Sequence, residues 1–249
     1  MLARRLQSGT GAQQFVAVAH PSSPYITAYP WSSSGFGTKF SNPATLPTGT
    51  GRGVAFSHAG NAVAVVGDNS PHISVYPWSS SGFGTKFSDP GTLIFGTGRG
   101  VAFSPAGNAI AVAHDNPPYI TAYRWSSSGF GTRFATPSTR PAFDGHGVAF
   151  SPSGDAIAVA HSVSPYITAY PWSSSGFGTK FSDPGTRPAL YGYGVAFSPS
   201  GDAIAVAHTS SPYITAYPWS SSGFGTKFSD PGTLPTGDGY AVAFTEAAI

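Results

Sequence analysis

Residues 147–193 read GVAFSPSGDAIAVAHSVSPYITAYPWSSSGFGTKFSDPGTRPALYGY, and this 47-residue unit recurs along the whole chain. Trp31, Trp78, Trp125, Trp172 and Trp219 are the only tryptophans, each 47 residues after the last, and each opens an unchanged WSSSGFGT. A fixed period of this size marks an array of supersecondary units rather than one irregular domain. Function must therefore be read from what five equivalent units can build.

The unit predicts four short strands: 147–151 (GVAFS), 156–161 (AIAVAH), 166–172 (YITAYPW) and the stretch around 179–182 (TKFS). Each is rich in β-branched or aromatic residues and is bounded by Gly, Pro, Ser or Asp. No segment sustains a helical period. Alternation puts Ile157, Val159 and His161 on one face and Ala156, Ala158 and Ala160 on the other. A sheet that is apolar on both faces must be covered on both, and radially packed blades do this. The SPSG turn places Pro152 second and Gly154 where φ turns positive.

The chain begins inside one unit (FVAVAH, 15–20) and ends inside another (YAVAFTE, 240–246). The expected fold is thus an all-β five-bladed β-propeller with four antiparallel strands per blade. The ring would be closed by the C-terminal strand pairing with the N-terminal blade. Residues 1–12 are expected to be a tail and 13–249 a single propeller, with the first blade built from 13–45 plus 240–246. Closure would also remove terminal edges, which invite aggregation.

Composition narrows the function. Charged residues are 9% and the net charge is +2, with no basic stripe, so nucleic acid is not an expected partner. There are no cysteines, hence no disulfide or thiolate metal site. No apolar run is long enough to span a membrane, and MLARRLQSGTGAQQ lacks the apolar core of an export signal. A cytoplasmic or virion-associated protein is compatible with both. No cofactor is expected.

The run FSPSG, AIAVAH, YITAYPW resembles the WD-repeat blade, with its FSPDG-like turn and a tryptophan ending the third strand. Serines stand where that family carries an acid after the tryptophan. Five blades of this length are also similar in architecture to tachylectin-type lectins. That resemblance implies carbohydrate recognition.

The copies differ most in two loops. One follows the fourth strand: LPTGTGR (46–52), LIFGTGR (93–99), RPAFDGH (140–146), RPALYGY (187–193), LPTGDGY (234–240). The other joins the second and third strands. In a meander both emerge on one face of the ring. The variation reads either as drift after duplication or as a binding face with unlike pockets. Just inside that face lie His20, His114, His161 and His208, which are either hydrogen-bonded packing residues or ligand contacts. Arg52, Arg99, His146, Tyr193 and Tyr240 share one repeat position and complete the candidate ligand site. Lys39, Lys86, Arg133, Lys180 and Lys227 on the outer edge read as edge protection or as a cationic ring. The tryptophans read as blade packing or as sugar-stacking platforms.

There is no GxSxG, no helical pair of metal-binding histidines, and Glu246 is the only glutamate. No catalytic residue or metal site is therefore expected. The leading expectation is a non-enzymatic, multivalent, lectin-like module for glycans or similar surface ligands. The alternatives are a structural or protein-interaction propeller of a virion or appendage, with a protein partner, or an engineered repeat protein.

Overall fold

The computed structural model describes residues 2–4 and 13–245. Every element in them is a β-strand. The twenty strands form five four-stranded antiparallel sheets, a propeller-like repetition. The first sheet is β1 (Leu2–Arg4), β2 (Gln14–Ala19), β3 (Ile26–Ser32) and β4 (Gly35–Phe36). The second is β5 (Gly51–Phe56), β6 (Ala62–Gly67), β7 (Ile73–Ser79) and β8 (Gly82–Phe83). The third is β9 (Gly98–Phe103), β10 (Ala109–His114), β11 (Ile120–Ser126) and β12 (Gly129–Arg133). The fourth is β13 (Gly145–Phe150), β14 (Ala156–His161), β15 (Ile167–Ser173) and β16 (Gly176–Phe177). The fifth is β17 (Gly192–Phe197), β18 (Ala203–His208), β19 (Ile214–Ser220) and β20 (Gly223–Phe224). Strands adjacent in sequence are adjacent in each sheet.

Backbone contacts group the chain into two compact units. The first is Met1–Val112 with Tyr123–Arg133, and the second is Ala113–Ala122 with Phe134–Ile249.

In the second to fifth sheets the first three strands fall within two residues of where the alternation predicts. Gly154 has φ 73°, as the turn requires, and Ser151 Oγ accepts the Ala156 N–H at 2.9 Å inside that turn. The fourth strand differs from expectation. It is the two-residue pair Gly176–Phe177, reached by a tight turn at Ser174–Ser175, not the stretch around 179–182. Beyond it the ladder slips. Gly178 N–H bonds Pro171 C=O at 2.8 Å, and the next bond to this strand is from Phe181 N–H to Ala169 C=O at 3.0 Å. More residues on the outer side than on the inner side break the regular pairing, as in a bulge.

The end of the chain also differs. The first sheet takes its edge strand β1 from Leu2–Arg4, within the stretch expected to be tail, pairing Leu2 with Val18 and Arg4 with Val16. Residues 240–245 form no strand, and Glu246 lies outside the described residues. They run instead alongside β17, so close that a Cβ on Gly194 would come within 2.8 Å of Ala241 Cα. The C-terminal segment thus follows the last sheet as the next first strand would, without a second strand to pair with.

Sheets join through aromatic clusters. Trp172 is 7% exposed, and its ring meets Phe134 at 4.9 Å, Phe150 at 5.2 Å and Phe177 at 4.9 Å, all edge-on. Phe134 comes from the preceding repeat, and the other two come from the sheet's own first and fourth strands. Trp219 repeats this with Phe181, Phe197 and Phe224, and Trp125 with Phe87, Phe103 and Phe130. Trp78 adds Phe15 to its set of Phe40, Phe56 and Phe83. Beside each of these four tryptophans a buried tyrosine donates its hydroxyl to a carbonyl of the repeat before. Tyr170 reaches Thr139 at 2.8 Å and Tyr217 reaches Thr186 at 2.7 Å.

Two changes test this packing. Trp172→Ala removes a ring shared by two sheets and is expected to cost about 3–5 kcal/mol in denaturant unfolding. Gly192→Ala would drive a Cβ into the Tyr166 carbonyl oxygen of the neighbouring repeat. Backbone cannot yield as a side-chain tip does, so a loss of about 2 kcal/mol or more is expected in the same measurement.

Candidate functional site

Strand β5 begins Gly51-Arg52-Gly53, and the same place holds Arg99, His146, Tyr193 and Tyr240 in later repeats. The ladder explains why this position varies. Gly51 pairs with Gly67 and Gly53 with Val66, so Arg52 is an inserted residue; His146 and Tyr193 are inserted likewise. A bulge turns its extra side chain away from the regular pleat, which frees it from packing demands. The flanking glycines sit hard against neighbouring backbone. A Cβ on Gly53 would come within 2.6 Å of the Arg99 carbonyl oxygen.

In the first compact unit the bulge builds a charged cluster. The Arg52 guanidinium grips Asp68 with two nitrogens, Nη2 lying 3.2 Å from Oδ2 and Nε bonding Oδ1. Thr48 Oγ1, from the same variable loop, donates to the carbonyls of Asn69 at 3.0 Å and Ser70 at 2.8 Å. The two loops that vary most between repeats are therefore tied together here. The Arg52 hydrogen bond holds the Asp68 carboxyl below the usual carboxylate range, with Thr50 and the more distant Arg99 charge helping. The pair is substantially exposed, so it contributes little stability. Its interest is chemical: an ionised carboxylate gripped by one guanidinium, within the electrostatic reach of a second.

In the second unit the same position builds an aromatic row, with one tilted and one edge-on contact. The His146 and Tyr193 rings are 4.4 Å apart, and Tyr193 and Tyr240 are 5.2 Å apart. The Tyr240 hydroxyl lies 3.4 Å from Asp238 Oδ2, and that negative charge pushes the phenol pKa up.

The four repeated histidines are placed differently. His114, His161 and His208 are fully buried. Each Nε2 shares a hydrogen bond of 2.9 Å with the third-strand threonine of its own sheet: Thr121, Thr168 and Thr215. His20 is half-buried and meets Thr27 at 2.8 Å. The structure thus separates the predicted site residues into a histidine set bonded to threonine, buried except for half-buried His20, an Arg52–Arg99 group with Arg52 exposed and Arg99 half-buried, and a group of half-buried His146 and Tyr193 with exposed Tyr240. The outer-edge lysines Lys86, Lys180 and Lys227 each pair with an aspartate three residues on. Among the described residues no cluster of His, Asp or Glu could hold a metal ion. No helix is long and apolar enough to cross a membrane.

Asp68 was not among the predicted site residues. A signal for it is present in the sequence. Only the two repeats with arginine at the bulge, Arg52 and Arg99, carry an acid at the start of the following hairpin loop, Asp68 and Asp115. The repeats with His146 and Tyr193 have Ser162 and Thr209 there.

No protein-family model and no curated protein matches the chain. Among solved structures it is similar to a protein of Bacteroides uniformis ATCC 8492, provisionally assigned as a 6-phosphogluconolactonase. The TM-score is 0.62 at 17% identity, over 86% of this chain and 66% of that one. The chain therefore spans just under two thirds of the length of that structure. Identity at this level shows the fold alone. The comparison nevertheless corrects the expected function. The fold's likeness is to an assigned enzyme, and nothing found supports a non-enzymatic, lectin-like glycan binder or a virion component. Nor does a matching family confirm a WD-repeat or tachylectin relationship.

The buried histidines give a pH prediction. Burial pushes the His161 pKa down to about 4, and burial also lowers that of His208. An unfolded histidine takes its proton near pH 6.5. The folded state binds it less readily, so this stabilisation is complete above that pH and is lost as pH falls toward about 4. NMR should find the His161 ring neutral at pH 5.5, with the unfolding temperature dropping between pH 7 and 4.5. Titration of the His161 ring near pH 6.5 would contradict its burial.

Proposed function

We propose that the chain is a hydrolase for small anionic esters of the sugar-lactone class, working at Arg52, Asp68 and Arg99. The observation that carries this reading is the Asp68 carboxylate, in the loop after β6, kept ionised by Arg52 on a bulge that frees the guanidinium from the sheet. The fold's likeness to a protein assigned as a 6-phosphogluconolactonase supports the same class.

The chemistry follows from the charges. Arg99 and the exposed edge of Arg52 hold the substrate's phosphate or carboxylate, since guanidinium groups match such oxygens in pairs. Asp68 takes a proton from water as that water attacks the lactone carbonyl. The ring C–O bond then breaks, the ring oxygen leaves as a hydroxyl by taking up that proton, and a hydroxy acid is released. Arg52 stabilises the negative charge that gathers on the carbonyl oxygen. A lactone is an activated ester, so a carboxylate base of low pKa suffices.

The test is acid release from 6-phosphogluconolactone and unphosphorylated gluconolactone, followed at constant pH against spontaneous opening. Faster opening of the phosphorylated substrate is expected. Asp68→Asn should lower kcat by about 10²-fold or more, while Arg99→Ala should chiefly raise KM. Folded protein that opens neither lactone faster than buffer overturns the reading.

A further inference from the structure

The hairpin of β6 and β7 departs from its counterparts in the other repeats at three positions. Where those repeats carry His20, His114, His161 and His208, this one carries Gly67. The third-strand threonine that bonds those histidines, Thr27, Thr121, Thr168 or Thr215, is here Ser74. The residue after the loop proline, elsewhere Tyr25, Tyr119, Tyr166 or Tyr213, is His72. Each change puts a smaller side chain in place of a larger one, and the three fall at one spot.

Gly67, His72 and Ser74 line a single cleft of about 180 Å³, open to solvent, together with Thr48, Thr50 and Asn69. A Cβ at residue 67 would come within 2.1 Å of the Thr50 carbonyl oxygen, so the loop bearing Thr48 and Thr50 lies against the hairpin as only glycine permits. Thr48 holds it there through the Asn69 and Ser70 carbonyls. Among the described residues that line the cleft there is no Asp, Glu, Lys or Arg. Its side chains offer hydroxyls, an amide and an imidazole, groups that donate and accept and so suit alcohols better than ions. Charge begins beside it. Gly67 precedes Asp68 and Gly51, also in the lining, precedes Arg52, while Thr50 hydrogen-bonds the Asp68 carboxylate.

We infer, on the reading of Arg52 and Asp68 as a hydrolase site, that this cleft is the subsite for the hydroxylated carbon chain of the substrate. Arg99 and Arg52 hold the anionic group, while His72, Ser74 and Asn69 bond hydroxyls on the neighbouring carbons. The cleft falls below the roughly 300–1,000 Å³ of sites that enclose a whole ligand. It therefore takes a short run of hydroxylated carbons and leaves the carbonyl outside, beside Asp68. A site built to hydrogen-bond hydroxyls rejects a chain without them, because its own polar groups are then left without partners. His72 and Ser74 thus restrict the enzyme to polyhydroxy acids and their lactones.

Proton NMR of the His72 ring tests this on the whole chain, the resonance being assigned by its loss in His72→Tyr. 6-Phosphogluconate and gluconate are expected to shift it. Hexanoate, of the same carbon length but without hydroxyls, should leave it in place. His72→Tyr and Ser74→Thr restore the residues that the other repeats carry at these positions, so both should fold, and both fill the cleft. Each should weaken 6-phosphogluconate binding by about tenfold or more in calorimetry. A His72 ring that millimolar 6-phosphogluconate does not move, a ring moved equally by hexanoate, or two variants that bind as wild type does overturns the inference. Lactone opening on the same samples judges the hydrolase reading separately. Opening with an unmoved His72 ring sinks the subsite alone, and a shifted ring without opening sinks the hydrolysis alone.

Discussion

The tryptophan that ends the third strand of the second to fifth sheets holds its sheet to the preceding repeat, and the rest of the structure depends on that joint. A single sheet of this chain is apolar on both sides and cannot be stable alone. Trp172 links Phe134 from one repeat to Phe150 and Phe177 from the next, with edge-on rings at each contact. Such pairs add about 0.5–1.5 kcal/mol each beyond the area they bury. The tyrosine beside the tryptophan adds a hydrogen bond across the same joint. Stability in such an array is a sum over neighbours, which explains why WSSSGFGT does not vary while the loops do.

The joint also explains where chemistry can sit. Positions that carry the packing, including the buried histidines bonded to threonine, have no freedom to meet a ligand. The bulge residue at the start of each first strand has that freedom. There the chain places arginine twice, then histidine and two tyrosines, without disturbing the strand that follows. Asp68 becomes significant through its grip on Arg52.

Much of this was legible in the residues. The period fixes five units, the alternation locates the first three strands, and Ala156, Ala158 and Ala160 against Ile157 and Val159 foretell two apolar faces. Packing as the role of the tryptophans was legible too. The rest depended on features that side-chain pattern does not encode. The fourth strand moved to Gly176–Phe177 because the turn at Ser174–Ser175 is tighter than the serine run suggests. The bulge at Arg52, His146 and Tyr193 is a backbone event between two glycines, invisible to a period of two. The first strand of the first sheet came from Leu2–Arg4, a stretch that shares no repeat motif, so similarity pointed to residues 240–246 instead. The pairing of Arg52 with Asp68 was present as two varying positions that change together.

Amide hydrogen exchange on dilute protein tests the dependence on joints most directly. Amides of β14 and β15, whose apolar side chains are buried, should exchange slowest, while those of β3 and β19, where Tyr29, Trp31, Ile214 and Ala216 are only half-buried, should exchange at least about tenfold faster, corresponding to about 1.4 kcal/mol of local stability. Equal protection of β3, β15 and β19 at that dilution would contradict the account, because stability would then not depend on a tryptophan joint to a neighbouring sheet.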